Sequence, residues 1–160
     1  MQYCGNIPDD SLEKLLTKYQ MTLVHIAQQQ AIPGSHWGDS EAGLIDHSLY
    51  VRDDTPVHSA LHETCHYICM DHQRRQNLHT DAGGDYDEEN AVCYLQILLA
   101  EFITNNSQQL AMQEMDEWGY SFRLGSTAKW FYQDADDARR WLEHHAIIDA
   151  SSNPTFNLRN

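Results

Sequence analysis

The sequence predicts an α+β domain in which a small sheet of about three strands packs against one central helix, followed by a mostly helical C-terminal half. Two short stretches rich in apolar and β-branched residues, at 21–27 and 44–52, are typical of strands. Between 55 and 146, apolar residues recur instead at the steps of three and four that amphipathic helices show. The chain has 160 residues, the size of one domain. We therefore expect residues 1–150 to form a single domain and residues 151–160 to be a loose C-terminal tail.

The first half of the chain is expected to form one helix and then the strands. Apolar residues at helical spacing follow a run of capping residues, which predicts a helix over about 11–20. The segment MTLVHIA at 21–27 would continue this helix or form a strand, and its β-branched residues favour the strand. After a turn that contains proline and glycine, the segment LIDHSLYVR at 44–52 is predicted to be extended, with Leu49 and Val51 on one face.

Helices dominate the second half. A proline after two aspartates indicates the start of a helix expected over 55–71, because proline is favoured in the first helical turn. Polar residues and glycines predict a loop at 72–84, and the next helix is expected from about 85 to about 104. Two further helices are predicted at about 107–117 and 134–146.

The charge of the chain is strongly negative: 24 acidic residues stand against 10 basic ones, for a formal net charge of -14 at pH 7. Such a surface repels phosphate backbones and anionic lipids, so we expect neither a nucleic-acid nor a membrane partner. No apolar run approaches the roughly 20 residues of a membrane span. The N-terminal residues also lack the basic and apolar regions of a secretory signal. We therefore expect a cytoplasmic protein whose four cysteines are reduced.

The letters HETCH, from His62 to His66, form an HExxH motif inside the helix predicted at 55–71. Residues four apart lie on one face of a helix, so both imidazoles can reach one metal ion. Glu63 lies beside the first of these ligands, where a carboxylate can act on a water molecule as general base. The alternative is that the two histidines are ordinary polar residues of a partly exposed helix.

A third metal ligand is expected from the next helix, because catalytic zinc sites usually have three protein ligands and one open position. Glu88 and Glu89 both lie at its start. Glu88 shares a stripe with Val92 and Leu95 and so belongs to the buried face, whereas Glu89 lies nearer the flank. A buried carboxylate needs a cation, so we predict Glu88 as the ligand. The alternative is that the helix dipole favours these carboxylates without any metal.

An HExxH helix followed by a glutamate on a second helix resembles the gluzincin class of zinc metallopeptidases. The shorter pattern, in which this glutamate stands three residues before an alanine, is similar to the compact ImmA/IrrE-like metallopeptidases. The resemblance covers about 44–102 and implies a zincin-like fold. It also implies Zn²⁺ as cofactor, with His62, His66 and Glu88 as its ligands and Glu63 as the general base.

These features predict a zinc-dependent metallopeptidase, in which Glu63 takes a proton from water and passes it to the leaving amine. The substrate would be a peptide or a protein, bound along the extended segment 44–52 as an edge strand. Tyr86, Tyr120 and several histidines are candidates for stabilising the oxyanion, and the sequence prefers none of them. The second hypothesis is a catalytically inactive zincin-like module that senses metal or binds a partner. The third hypothesis is a structural helical domain without a metal.

Other residues of these types have simpler interpretations. Cys65 and Cys69 are expected to be small buried residues, and His72 and His79 to be exposed in a loop. The tryptophans of the second half are expected to form the core of a C-terminal helical layer: Trp118, Trp130 and Trp141.

Overall fold

The computed structural model describes residues 1–35, 38–78 and 82–160. Within these ranges the chain forms seven α-helices and a three-stranded mixed sheet, which confirms the predicted α+β class. His79, and with it part of the loop predicted at 72–84, lies outside the described residues.

Among the described residues, the elements follow one another in a simple order, with the sheet in the first third of the chain and six helices after it. They are α1 (Ser11–Lys18), β1 (Thr22–His25), β2 (Gly43–Ile45), β3 (Ser48–Val51), α2 (Val57–Cys69), α3 (His72–Gln76), α4 (Tyr86–Leu99), α5 (Gln108–Trp118), α6 (Thr127–Gln133) and α7 (Asp136–His144).

The sheet has the order β1-β3-β2, with β3 parallel to β1 and antiparallel to β2. The stretch 44–52 is therefore a hairpin and not one edge strand, because a turn at Asp46, whose φ is +52°, separates two strands. Leu49 and Val51 are fully buried, as the alternation predicts. At the β2 edge, the Leu44 N–H already donates to the Gly34 carbonyl at 3.4 Å. The expectation of a peptide-binding edge strand at 44–52 is thus wrong for β3, which is the central strand. The β2 strand does lie at an edge, but the contact with Gly34 already covers part of it.

The α2 helix lies at the centre of the molecule, between the sheet and α4. Nearly all of its side chains are buried, whereas His62 and Glu63 are only partly buried. The loop before β2 is joined to the helix by the Ala42 N–H, which donates to Ser59 Oγ at 3.0 Å. A helix buried on both sides in this way is a rigid support for any group on its remaining face.

Two helices of the second half differ from the sequence-based expectation. The α3 helix lies inside the predicted loop, because the Asp71 side chain caps it by accepting a hydrogen bond from the Arg74 N–H at 2.9 Å. The α6 helix was not predicted, and it is capped in the same way by Ser126. Both helices are too short for an apolar period to be evident in the sequence.

Residues 151–160 are held against the domain, so the expectation of a loose tail is wrong. The Thr155 N–H donates to the Ile147 carbonyl at 3.0 Å, and the Arg159 N–H donates to the Ile68 carbonyl at 3.0 Å. The second of these bonds joins the segment to the last turn of α2. Among the described residues, no helix combines the length and the apolar character needed to cross a bilayer.

Candidate metal centre

The HExxH motif lies on α2, and its two histidines converge. The Nε2 atoms of His62 and His66 are 3.1 Å apart, and the two rings are almost perpendicular. Two ligands of one tetrahedral zinc ion, each about 2.0–2.1 Å from it, would be about 3.3 Å apart. The imidazole nitrogens are therefore spaced as a shared metal ion requires.

The third ligand atom at this cluster belongs to Glu89, at the start of α4. Its Oε2 is 3.7 Å from His66 Nε2, and one ligand atom from each of His62, His66 and Glu89 lies within 4.8 Å of the others. The other carboxylate oxygen of Glu89 accepts a hydrogen bond from the Gly84 N–H at 3.0 Å. Two imidazoles and one carboxylate are a donor set that binds zinc.

The carboxylate of Glu88, the predicted third ligand, is bound by other residues, and the structure brings Glu89 to the histidines instead. Glu88 is buried, with 2% exposure, as its place in the apolar stripe predicts. Its carboxylate, however, is bound by Arg74 at 2.6 and 2.9 Å and by Arg159 at 2.8 Å. The cation that the buried carboxylate needs is therefore a pair of arginines. Glu89 faces the histidines from the flank of the helix.

Gln96, on the buried face of α4, orients the first histidine. Its Nε2 donates to the His58 carbonyl at 3.1 Å, so its Oε1 is the acceptor that lies 2.9 Å from His62 Nδ1. His62 then carries its proton on Nδ1 and presents the lone pair of Nε2 to the cluster. Such an outer partner fixes both the ring orientation and the tautomer of a metal-binding histidine.

Burial keeps the two histidines in the neutral form that binds metal. It lowers the pKa of His62, and it lowers the pKa of His66 to about 3, with further contributions from His62 and Arg74. Protons therefore do not compete with a metal ion for these nitrogens near neutral pH.

Glu63 is a partly buried carboxyl in a group of like charges. Burial, followed by repulsion from Glu41 and Glu89, raises its pKa to about 8. A divalent cation near these carboxylates would favour the ionised form of Glu63. Without a cation, the Glu63 carboxyl therefore holds its proton more tightly than an ordinary glutamate does.

Two aromatic residues at the C-terminal end of α5, Trp118 and Tyr120, pack against histidines of α2. The helix ends at Gly119, whose φ of +109° turns the chain back towards α2. The Tyr120 ring is 5.8 Å from that of His62, and its hydroxyl is 3.5 Å from His58 Nδ1. Trp118 is 44% exposed, and its ring centroid lies 4.9 Å from that of His58. The expectation that Trp118 is a core residue is therefore wrong.

The remaining residues singled out in the sequence are not members of the candidate ligand cluster found among the described residues. Tyr86 is 81% exposed at the start of α4, so of the two tyrosines it is Tyr120 that contacts a histidine of the motif. Cys65 and Cys69 are buried and His72 is exposed, as predicted. Of the other tryptophans, Trp130 is in the core and Trp141 is partly buried against it.

Sequence reasoning missed the contributions of Gln96 and the two arginines. Gln96 has no exposed surface and lies in an apolar stretch of α4, where an isolated polar residue is a signal for a specific hydrogen-bonding role. The two arginines that bind Glu88 come from α3, which was predicted to be part of a loop, and from the segment 151–160, which was predicted to be a loose tail.

Comparison with known proteins gives no relative. No family model, no curated protein and no solved structure matches the chain. The resemblance to the ImmA/IrrE-like metallopeptidases remains a prediction based on the spacing of a few residues.

Proposed function

We propose that the protein is a zinc-dependent metallopeptidase in which His62, His66 and Glu89 hold Zn²⁺ and Glu63 is the general base. The observation that carries this proposal is the convergence of the three ligand atoms within 4.8 Å on two helices, directly beside Glu63. The second observation in its support is the Gln96 contact, which presents His62 Nε2 as a lone-pair donor.

Zinc in this position would polarise the carbonyl of a scissile peptide bond and lower the pKa of a water molecule. Glu63 accepts a proton from the attacking water as the carbon–oxygen bond forms. It then delivers this proton to the amine nitrogen as the carbon–nitrogen bond breaks, and the water is consumed. A bound cation would lower the pKa of Glu63 from the raised value of the metal-free chain and so keep the carboxylate ionised to accept the proton.

Tyr120 is the residue that we propose to stabilise the oxyanion. Burial raises the pKa of its phenol, so the hydroxyl is a hydrogen-bond donor at physiological pH. In support of this role, its ring contacts that of His62, a member of the cluster, and its hydroxyl oxygen is 3.5 Å from Nδ1 of His58 on the same helix. Donors aimed at developing negative charge are a major source of catalysis in acyl-transfer enzymes.

We propose a peptide or protein substrate and a cytoplasmic location. A net charge of -14 disfavours nucleic acids and anionic membranes as partners. The buried cysteines Cys4, Cys65 and Cys69 are free thiols, a state that reducing compartments maintain.

The proposal is tested by peptide cleavage and zinc content measured on the same preparations. The wild-type chain, Glu63→Gln and the surface control Glu13→Gln are incubated with a mixture of unmodified peptides and analysed by mass spectrometry. We expect all three to bind zinc and only Glu63→Gln to lose cleavage. Cleavage by Glu63→Gln at the control rate would refute the mechanism. Zinc binding without cleavage by the wild type would favour the metal-sensing module instead.

A further inference from the structure

We infer that Arg74, Glu88 and Arg159, here called the arginine clamp, are positioning residues that hold Glu89 in the metal centre. The inference rests on the proposed function, since it assumes that Glu89 binds the metal. It makes the segment 151–160, which is far from the HExxH motif in sequence, a requirement for metal affinity.

The clamp is a set of ion pairs that joins three parts of the chain around one buried carboxylate. Arg74 comes from α3, Arg159 from the segment 151–160, and Glu88 from the first turn of α4. Both arginines donate to the Glu88 carboxylate, through three hydrogen bonds of 2.6–2.9 Å. Charge-assisted bonds of this length, on a carboxylate that has almost no contact with water, restrict the side chain to one orientation.

The clamp is also joined to the helix that carries the two histidines. The Arg159 N–H donates to the Ile68 carbonyl at 3.0 Å, and Arg159 Nη1 donates to the Cys69 carbonyl at 3.2 Å. Arg75 donates both to the Met70 carbonyl at 2.6 Å and to the Arg159 carbonyl at 2.7 Å. Arg159 therefore connects the end of α2 directly to the start of α4, the two elements that must meet at the metal.

Gly84 lies between the two glutamates and contacts both. Its N–H donates to Glu89 Oε1 at 3.0 Å. A Cβ atom added at Gly84 would lie only 1.9 Å from Glu88 Oε2 and 2.3 Å from its Cδ. The glycine thus supports one carboxylate through its amide and leaves room for the other, so the Glu88 orientation and the Glu89 orientation depend on one backbone position.

Adjacent glutamates on one helical turn compete for a nearby cation, and the clamp separates them. With the arginines in place, Glu88 is neutralised away from the histidines, and α4 is held in the rotation that directs Glu89 towards His66. Without Arg159, the Glu88 carboxylate loses a partner and the first turn of α4 loses its link to α2. Outer residues that orient a metal ligand typically contribute about 10–100-fold to metal affinity.

The test measures zinc affinity by competition with a chromophoric chelator on metal-free full-length protein. Arg159→Ala is compared with wild type, with Arg159→Lys, and with Arg123→Ala as control. Arg123 also makes a two-bonded pair with an aspartate, Asp134, but outside the clamp. We expect about 10–100-fold weaker binding for Arg159→Ala, partial rescue by Arg159→Lys, and no change for Arg123→Ala.

A second variant separates positioning from folding. Gly84→Ala retains every charge, and we expect it to lower zinc affinity and to alter the visible absorption of bound Co²⁺, because Glu89 moves. Wild-type affinity in Arg159→Ala and in Gly84→Ala would overturn the inference. If Arg159→Ala fails to fold, Gly84→Ala alone decides by the same criterion. Absence of zinc binding in the wild type would refute the metal centre and the clamp together, whereas zinc binding without cleavage would refute only the peptidase.

Discussion

Replacing Glu88 and Glu89 in turn by glutamine separates two roles that the sequence places side by side. Glutamine at 88 keeps the shape of the side chain but leaves two arginines without their buried counter-charge. Breaking a buried ion pair costs about 3–5 kcal/mol. The side chains of Arg74 and Arg159 are 39% and 21% exposed, so they regain part of their hydration. We therefore expect the low end, a loss of about 3 kcal/mol in the free energy of unfolding.

The same replacement at Glu89 has a different expected cost. This side chain is 40% exposed, and its carboxylate accepts a hydrogen bond from the Gly84 N–H. Glutamine keeps a side-chain oxygen that accepts this bond, so we expect a cost of about 0.5–1.5 kcal/mol at most. Removal of its charge also relieves repulsion on Glu63, whose pKa it helps to raise. The Glu89→Gln chain should therefore be almost as stable as wild type when no metal is present.

Urea unfolding followed by circular dichroism, in the presence of a chelator, measures both free energies on the same scale. For a chain of this size, the Glu88→Gln loss corresponds to a midpoint of thermal unfolding lower by roughly 10 °C. An equal or larger loss for Glu89→Gln would refute the reasoning. It would assign Glu89 to the arginines and restore Glu88 as the metal ligand.

Three further predictions concern the surroundings of the ligands. Gln96→Leu should lower zinc affinity by about 10–100-fold in a chelator competition, because His62 loses its Nδ1 partner; unchanged affinity would contradict this role. Tyr120→Phe should lower kcat for peptide cleavage by about 100-fold or more at intact zinc content, and full activity would exclude the tyrosine from the mechanism. Burial, followed by the neighbouring His62, lowers the pKa of His58 to about 4, so the unfolded chain binds more protons than the folded one between that value and 6.5. When urea unfolding is repeated at about pH 5 instead of about pH 7, the free energy of unfolding of metal-free wild type should therefore fall by about 2 kcal/mol more than that of His58→Gln. An equal fall in both proteins would contradict the lowered pKa of His58.

The sequence predicts the helices and strands well where the apolar period is long enough to be evident. The buried alternation in β3 and the helices α2 and α4 follow from spacing, whereas β1 follows from its β-branched residues. The short helices α3 and α6 depend on single capping side chains, which a pattern of apolar residues does not reveal.

The choice between Glu88 and Glu89 as the candidate metal ligand could not be made reliably from the sequence. Periodicity correctly predicted that Glu88 is buried, and electrostatics correctly required a cation beside it. Nothing local identifies that cation, because Arg159 reaches it from 71 residues away. Tyr120 and Gln96 reach the histidines through the same long-range packing, which a single sequence does not specify.

The proposed function depends on a metal ion at His62, His66 and Glu89, and zinc content tests this most directly. Protein purified without chelator or histidine tag is analysed by mass spectrometry beside His62→Ala. We expect about one zinc per chain in the wild type and its loss in the variant. Less than about a tenth of an equivalent in the wild type, even after incubation with zinc, would contradict it.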